Sequence, residues 1–244
     1  MPNDAGFGAV EFQNQILAAL PAEDLNLLRP RFGRVSLVLA QVLHEAGNPI
    51  EDVYFLESGL ASLIADTGDN GQVEVGVTGR DGLVGGSLLL NPTAIALHRA
   101  VVQVPGVAYR MQAASLRELT DHAPALREHC LRYLQFTLAQ AAQSAACNAR
   151  HELPARLARW LLMTRDLTGD NELPITQEFL SYMLGVRRAG VSGVARELES
   201  KGLIRQSRGR LTLLDHAGLE RKACSCHRFI ENSRGQIGLP ALMP

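Results

Sequence analysis

Cysteines, aromatic residues and long apolar runs are all scarce in this chain of 244 residues. None of its four cysteines precedes Cys130, and so small a number argues against the disulfide framework of a secreted domain. No apolar run reaches the length of a membrane span, and the first residues lack the basic region of a signal peptide. We therefore expect a cytoplasmic protein.

Signatures of catalysis are also missing from the sequence. No serine stands in the context of a nucleophile with histidine and aspartate partners, and we find neither a phosphate-binding loop nor a catalytic pair of carboxylates. We predict that the chain is not an enzyme. With 46% hydrophobic residues it is long enough to form one large or two medium domains.

The charge of the chain is small overall but unevenly distributed. Residues 1–149 hold 9 Lys and Arg against 15 Asp and Glu, a net of −6, whereas residues 150–244 hold 15 against 10, a net of +5. Such asymmetry favours a polyanionic partner, such as nucleic acid, for the second half. A chance difference is the alternative that charge alone leaves open.

Short runs rich in β-branched and aromatic residues fill the segment from Val35 to Arg110. Turn signals such as GNP, GDNG and GRDG separate them, which is typical of an antiparallel barrel or roll. After Gln112 the pattern becomes helical, with breaks at Pro124 and Pro154.

One helix after Gln112 carries an apolar seam with spacings of 3, 4, 3 and 4, made of Leu131, Leu134, Leu138, Ala141 and Ala145. This spacing is typical of coiled coils. The seam either packs on the chain's own barrel or pairs with a second subunit, and the pattern favours neither alternative.

The last third of the chain predicts a helix, a tight turn, a second helix and a β-hairpin. Thr176 is a suitable N-cap, Gly185 fits the turn, residues 187–200 form the second helix, and Ser207–Gly209 form the hairpin turn. This order is that of a winged helix-turn-helix, whose second helix reads bases in the major groove. We expect DNA to be contacted by Thr176, Gln177, Arg187, Arg188, Ser192, Arg208 and Arg210.

Arginine suits base reading because its planar guanidinium binds guanine O6 and N7 together. Two glycines, Gly190 and Gly193, stand inside the same helix, where each costs roughly 1 kcal/mol relative to alanine. We consider two explanations for them. The missing side chain lets the helix lie deeper in the DNA groove, or lets it pack closely on the first helix.

Two stretches, GNPIEDVYFLESGLASL and LPITQEFLSYMLGVRRAGVSGVARELESKGLI, resemble the β-roll and the helix-turn-helix of the Crp/Fnr family of bacterial transcription regulators. The resemblance implies an α+β fold: a sensor domain similar to cyclic nucleotide-binding domains at residues 1–122, with N-terminal helices and a jelly-roll-like antiparallel β-roll, then a dimerisation helix at 123–149 and a winged helix-turn-helix at 150–244. It also implies a homodimer, a two-fold symmetric site on double-stranded DNA and contact with RNA polymerase.

The chain departs from the family in its reading helix. Members usually carry Arg, then Glu, then a further Arg; here Arg188 takes the first position, while Ala189 and Gly193 replace the others. We therefore expect a half-site different from the family's usual one, because the glutamate that would accept from cytosine N4 is missing.

The effector pocket departs further. The family's phosphate loop corresponds to a stretch that supplies the candidate pocket residues Gly85, Gly86, Ser87, His98 and Arg99. Residues 88–97 carry no charge, and alanines stand at 141 and 142, where the family places polar groups for the base. Because several hydrogen-bonding groups are lost, we expect the effector to be something other than cAMP. No cysteine precedes Cys130, so we predict no iron–sulfur cluster, and we interpret His44 and His98 as structural or exposed residues.

Two alternatives remain for the regulation. The chain is either independent of any effector and regulated by its abundance, or controlled by thiol oxidation at Cys224 and Cys226. We interpret these two cysteines as ordinary residues of one C-terminal helix starting after Asp215, because a helix points the sulfurs of Cys-x-Cys apart. We accordingly predict no metal site and no cofactor.

Overall fold

The computed structural model describes residues 12–68, 71–91, 93, 95–240 and 242, so residues 1–11 of the predicted sensor domain lie outside the described part. Two short helices, α1 (Gln15–Ala18) and α2 (Ala22–Leu28), come first. Asn14 caps α1 by accepting from the Leu17 amide at 3.2 Å. The strands that follow are β1 (Phe32–Leu37), β2 (Val42–His44), β3 (Asp52–Asp66), β4 (Gln72–Thr78), β5 (Leu83–Val84) and β6 (Arg99–Gln112).

These strands form a six-stranded antiparallel sheet with the order β1-β6-β3-β4, to which β2 adds on β6 and β5 on β3. The predicted antiparallel β-roll is therefore confirmed. The expectation of short strands throughout is wrong, because β3 and β6 are 15 and 14 residues long. They continue through Gly59 and Gly106, where the register shifts and the strands bend. Gly59 has φ 84°, and a Cβ on it would lie 2.5 Å from the Val104 carbonyl oxygen.

Three helices follow the sheet: α3 (Ala113–His122), α4 (Pro124–Arg150) and α5 (Leu153–Thr168). Pro124 begins α4 at a position where its missing N–H removes no helical hydrogen bond. A connection of only His151 and Glu152 joins α4 to α5. Among the described residues, no helix combines the length and hydrophobicity needed to cross a membrane.

The last part of the chain contains α6 (Gln177–Leu184), α7 (Arg188–Ser200), β8 (Ile204–Ser207), β9 (Arg210–Leu213), α8 (His216–Lys222) and α9 (Cys226–Gln236). A further strand, β7 (Glu172–Leu173), pairs with β9 and widens the predicted hairpin into a three-stranded sheet. The prediction of one C-terminal helix is wrong: Ala223 is extended, with φ −64° and ψ 151°, and separates α8 from α9. Asp215 caps α8 as expected, accepting from the Gly218 amide at 2.8 Å.

The hydrophobic core connects the two halves of the chain. Leu60, Ile64 and Val77 of the sheet pack in one cluster with the buried faces of α5, α6 and α7. Helix α9 packs along α4, and its Arg234 forms a buried ion pair with Asp81 of the sensor half, with 2.9 Å between Nη1 and Oδ2. Both side chains are at most 3% exposed. The winged domain is therefore docked on the sheet of its own chain.

Candidate nucleic-acid interface

The helix-turn-helix forms as the sequence predicts. Thr176 caps α6 by accepting from the Phe179 amide at 3.1 Å, and Gly185 ends that helix with φ 60°. After Arg187, which precedes the first turn, α7 buries Val191, Ala195 and Leu198 against the core. Arg187 and Arg188 lie at the N-terminal end of α7, where both side chains are exposed. This is the end of a recognition helix that meets base edges in DNA complexes.

One concave surface joins the start of α6, the start of α7 and the β8–β9 turn. Five predicted contact residues line it: Thr176, Gln177, Arg188, Arg208 and Arg210. The guanidinium groups of Arg188 and Arg208 form no ion pair or hydrogen bond with any residue that the structure describes. Two free guanidinium groups therefore face the same concavity, from the reading helix and from the wing, and both can bind an anion.

Besides Thr176, whose hydroxyl caps α6, three of the predicted contact residues already have partners within the chain. The Gln177 side chain donates to Gln206 Oε1 at 2.9 Å and accepts from the Ser192 hydroxyl at 2.6 Å. Arg210 forms an exposed ion pair with Glu172 of β7. Gln177 and Ser192 thus hold α6, α7 and the wing together, a positioning role that the sequence did not reveal. The partners Gln206 and Glu172 gave no sequence signal, because their contacts depend on the pairing of distant strands.

The two glycines of α7 are not explained by packing on α6. A Cβ on Gly193 would find no atom within 4 Å, and one on Gly190 would lie 3.7 Å from Leu153 Cδ2 in α5. Both positions therefore tolerate a side chain in the free protein, and the explanation by close helix packing is wrong. The other explanation, a closer approach of the helix backbone to DNA, stays a prediction.

Helix α5 meets strand β4 through a buried carboxyl group. Glu74 Oε1 accepts from Trp160 Nε1 at 2.8 Å, and Glu74 Oε2 accepts from the Ser62 hydroxyl at 2.6 Å. The carboxyl group is enclosed although the residue as a whole is half-buried. Burial raises the pKa of Glu74 to about 7, against the opposing effects of both hydrogen bonds and of the nearby Arg159 guanidinium. Protonation of this group is therefore linked to contact between the sensor and DNA-binding halves.

The predicted effector residues lie in or directly before two elements, a short 3-10 turn at Gly86–Leu89 and the start of β6. Gly85 has φ 94°, and a Cβ on it would lie 2.8 Å from the His44 ring. His44 Nε2 is 2.8 Å from the Asp52 carbonyl oxygen, and burial lowers the pKa of His44, so the ring is neutral and donates. The structural role predicted for His44 fits this contact.

The remaining effector candidates face different neighbours. Arg99 donates from Nε to Glu45 at 3.2 Å, in an ion pair that is partly exposed on both sides. Ser87 is exposed, and the buried Nδ1 of His98 has no hydrogen-bond partner among the residues described. His44 therefore lies against Gly85, and Glu45 binds Arg99. The sequence did not predict either contact.

Helix α4 has two faces with different environments. One face is buried in the chain's own core, with Leu126, Cys130, Tyr133 and Phe136. On the seam, Leu131 and Leu134 are half-buried, Leu138 is 67% exposed, and the alanines at 141 and 145 are exposed. The seam is therefore not covered along its C-terminal part by the chain's own barrel.

The cysteines near the C-terminus are not ordinary helix residues. Cys224 lies in the break between α8 and α9, Cys226 begins α9, and both approach Cys147 and His151 at the end of α4. The interpretation that their sulfurs point apart on one helix is wrong, because that helix is broken at Ala223. The sequence did contain one indication of this cluster, because Cys147 and His151 are four residues apart near the end of a predicted helix.

Comparison with known proteins matches both parts of the chain. Residues 34–123 match the cyclic nucleotide-binding domain, and residues 155–222 match the Crp-like helix-turn-helix domain. A search of curated proteins found no significant match.

Solved structures share the fold over most of the chain. A CRP-family transcriptional regulator from Thermus thermophilus is 22% identical with a TM-score of 0.66, over 78% of this chain and 96% of its own. FixK2 from Bradyrhizobium japonicum is 15% identical with a TM-score of 0.67, over 79% and 98%. The c-di-GMP-responsive regulator CLP from Xanthomonas campestris is 18% identical with a TM-score of 0.65, over 80% and 100%.

A β-roll of the cyclic nucleotide-binding type, a long helix and a winged helix-turn-helix with a cationic groove define a DNA-binding transcription regulator. The chain belongs to the Crp/Fnr family. Its family and structural neighbours are transcription regulators and not enzymes, in agreement with the sequence prediction.

Proposed function

We propose that the protein is a homodimeric, sequence-specific transcription regulator that acts in the cytoplasm on a two-fold symmetric DNA site, contacts RNA polymerase and is controlled by an effector other than cAMP. The observation that carries the DNA part is the concave surface with the free guanidinium groups of Arg188 and Arg208. We expect Arg188, on the reading helix, to contact bases and Arg208, on the wing, to contact phosphates. Base contacts specify sequence, whereas phosphate contacts position the protein.

The surface of α4 supports a homodimer. Leu138 is exposed in the middle of an apolar seam, and the small residues that follow it allow two helix backbones to approach closely. The opposite face of the same helix is already used by the chain's own core. Pairing of two copies along the seam would bury Leu138 and place two reading helices in successive major grooves, about 34 Å apart.

The neighbourhood of the candidate pocket supports an effector other than cAMP. Glu45 already binds Arg99, the one basic side chain of the predicted pocket, and the His44 ring lies against Gly85. A cyclic phosphate would have to displace Glu45 from Arg99 and would still lack polar partners at positions 141 and 142. The same contacts favour a second candidate function, a regulator that needs no effector because its pocket residues are paired with other residues of the chain.

Selection from randomised duplex DNA tests the main proposal. We expect enrichment of a palindrome whose half-sites are about 10 base pairs apart, measured by sequencing after gel-shift selection. Failure to enrich any palindrome would sink the proposal.

Calorimetry then tests the effector. Titration with cAMP should give no binding in the micromolar range, and micromolar affinity would refute this part of the proposal. Protein that has been unfolded, dialysed and refolded separates the two candidates. Full DNA affinity after this removal of small molecules supports the effector-independent regulator, whereas a loss restored by cell extract supports an effector.

A further inference from the structure

Four side chains that can ligate a soft metal meet where α4 ends. They are Cys147 in the last turn of α4, His151 directly after α4, Cys224 in the α8–α9 break and Cys226 at the first position of α9. Their ligand atoms all lie within 4.8 Å of one another. Residues 77 positions apart in sequence, such as Cys147 and Cys224, are brought together only by the docking of α9 on α4.

Two of the distances between these atoms are close to those of a tetrahedral zinc site. Cys147 Sγ lies 3.4 Å from Cys224 Sγ, and Cys226 Sγ lies 3.5 Å from His151 Nδ1. With Zn–S bonds of about 2.3 Å and Zn–N bonds of about 2.0 Å, tetrahedral angles separate two sulfurs by about 3.8 Å and a sulfur from a nitrogen by about 3.6 Å. The remaining pairs lie within 4.8 Å, so shifts of at most about an ångström would complete the site. A disulfide between Cys147 and Cys224 would require these two sulfurs to approach from 3.4 Å to about 2.05 Å, whereas zinc binding would leave them about 3.8 Å apart.

The local fold explains why these residues converge. His151 is the fourth residue after Cys147, and its amide donates to the Cys147 carbonyl at 2.9 Å, so the two side chains emerge on the same side of the chain. After the extended Ala223, Cys224 lies in the break between the helices, Ser225 is the N-cap of α9 and Cys226 is its first residue. This break brings both sulfurs to the same cluster, which one continuous helix from α8 to α9 would not do.

The surroundings also suit a metal complex with three thiolates. Gln143 Nε2 donates to Cys226 Sγ at 2.9 Å, a contact of the kind that orients metal ligands from outside the coordination shell. Zinc with three thiolates and a neutral imidazole carries a net charge of −1. Arg156 and Arg159 lie close enough to Cys147 to interact electrostatically with its sulfur. Arg159 is buried, and its Nε and Nη1 have no hydrogen-bond partner among the described residues, so an anionic complex would add a counter-charge to that of the nearby Glu74 carboxyl group.

We propose that Cys147, His151, Cys224 and Cys226 bind one Zn²⁺ ion in a closed tetrahedral site that fixes the α4–α5 connection to the α8–α9 turn. Four protein ligands leave no open position, which is the pattern of a structural and not a catalytic zinc site. Binding replaces the thiol protons, so up to three protons are released to solvent for each ion bound.

The place of the site gives it a regulatory meaning that rests on the proposed DNA-binding function. His151 is one of only two residues between α4, which carries the dimer seam, and α5, which begins the winged domain. A ligand bond at His151 therefore fixes the segment about which the DNA-binding domain would reorient. Loss of zinc, by chelation or by oxidation of the thiolates, would free this segment and change the orientation of the reading helices.

Metal analysis of the full-length chain, purified with reductant, tests the site without reference to DNA. We expect about one zinc per chain after dialysis. Replacement by Co²⁺ should give the strong visible absorption of a tetrahedral ion together with a thiolate charge-transfer band in the near ultraviolet. Wild-type protein without stoichiometric zinc, or a weak octahedral cobalt spectrum, would overturn the proposal.

The zinc content of variants distinguishes the four proposed ligands from Cys130, the remaining cysteine of the chain. Cys224→Ser and His151→Ala, both at partly exposed positions, should lose the zinc and the cobalt bands. Cys130→Ala is the matched control, because Cys130 is also on α4 but lies in the sensor-side core, and it should retain one ion. Retention of zinc in both site variants contradicts the proposal. A Cys147–Cys224 disulfide in metal-free protein, detected by mass spectrometry, also contradicts it and supports a thiol switch instead.

Hydrogen exchange relates the site to the connection between the domains. Chelation should increase amide exchange at residues 148–153 in wild-type protein at the temperature where circular dichroism shows that it remains folded. If exchange there is unchanged although zinc is removed, the site does not fix the connection and the regulatory part fails. Because neither measurement uses DNA, these outcomes are distinct from a failure of the proposed DNA-binding function.

Discussion

The two halves of the molecule differ in how their candidate sites are built. The DNA-binding surface is made of residues that are close in sequence, whereas the predicted effector pocket is not. In the DNA-binding half, α6, α7 and the wing follow one another directly, and five predicted contact residues line one concave surface. In the sensor half, Gly85 and Arg99 have His44 and Glu45 as their neighbours instead of forming an evident common site. A short recognition motif can therefore be read from a local pattern, whereas an effector pocket depends on contacts between distant strands.

The largest effect on DNA affinity is expected at the seam of α4, the proposed dimer interface, which lies between the sensor and DNA-binding halves. Leu138→Asp should convert a dimer into a monomer, because pairing would bury an unpaired carboxylate. Affinity for a two-fold site should fall by about 10²–10⁴-fold as the second binding contact is lost. Light scattering and fluorescence anisotropy measure both effects. Leu214→Asp, which changes another exposed leucine in the DNA-binding half, is the control. A dimer that survives Leu138→Asp shows that the seam is not the interface.

Within the DNA-binding half, Arg188 and Arg208 should behave differently although both are free. Arg188→Ala should cost about 1–3 kcal/mol on the selected site and relax specificity at one base position. Arg208→Ala should weaken selected and random sequences by the same factor, since phosphate contacts carry no sequence information. Competition titrations with single-base variants of the site distinguish them. Equal losses of Arg188→Ala on specific and random DNA would refute its reading role.

Between the halves, the buried Glu74 should make docking depend on pH. Its folded-state pKa of about 7 lies above the ordinary value of 4.5 for an unburied glutamate, so the stability it contributes is complete below about pH 4.5 and is lost as the pH rises through about 7. Glu74→Gln keeps an uncharged hydrogen-bonding group and should remove this part of the pH dependence. We expect the unfolding temperature of wild type to fall by a few degrees more than that of the variant between pH 4.5 and 8.

The matched control for this comparison is Glu45→Gln, which changes an exposed glutamate of the same half and should retain the wild-type slope. Parallel curves for wild type and Glu74→Gln would show that the carboxyl group does not couple docking to protonation.

The smallest effect is expected at the glycines of α7. Gly193→Ala should stabilise the free protein by up to about 1 kcal/mol, because alanine is the better helix former and its Cβ meets no atom. If the helix backbone approaches DNA at this point, the same change should weaken DNA binding. Gly190→Ala, whose Cβ would touch Leu153, should stabilise without affecting affinity. Thermal unfolding and anisotropy measure the pair, and an unchanged DNA affinity for Gly193→Ala would remove the groove explanation as well.

Much of the fold could be predicted because its signals are local. The cap at Thr176, the turn at Gly185 and the wing turn at Gly209 each depend on a few consecutive residues, and the structure forms all three. The continuity of β3 through Gly59 could not be predicted, since glycine indicates a turn as readily as a bulge. Strand β7 has only two residues and exists because β9 pairs with it.

The site was predictable to a smaller extent, and the reason is again the distance in sequence between contacting residues. Arg188 could be identified from its place in the second helix, but the Gln177–Ser192 and Arg210–Glu172 contacts require the packed domain. The cysteine cluster was missed because one extended residue, Ala223, separates two helices that the sequence presents as one. A single backbone conformation thereby decided whether two sulfurs point apart or together.

Helix α4 has a mechanical consequence that follows from its length alone. Its 27 residues make a rod of about 40 Å, one end of which lies beside the sensor sheet and the other at the winged domain. A tilt of about 5° at the sensor end displaces the far end by about 3.5 Å, close to the rise of one base pair. In a dimer, the two α4 helices would determine the distance between the two reading helices. A movement too small to alter any single hydrogen bond in the sensor would be enough to shift the protein from matching its half-site spacing to missing it.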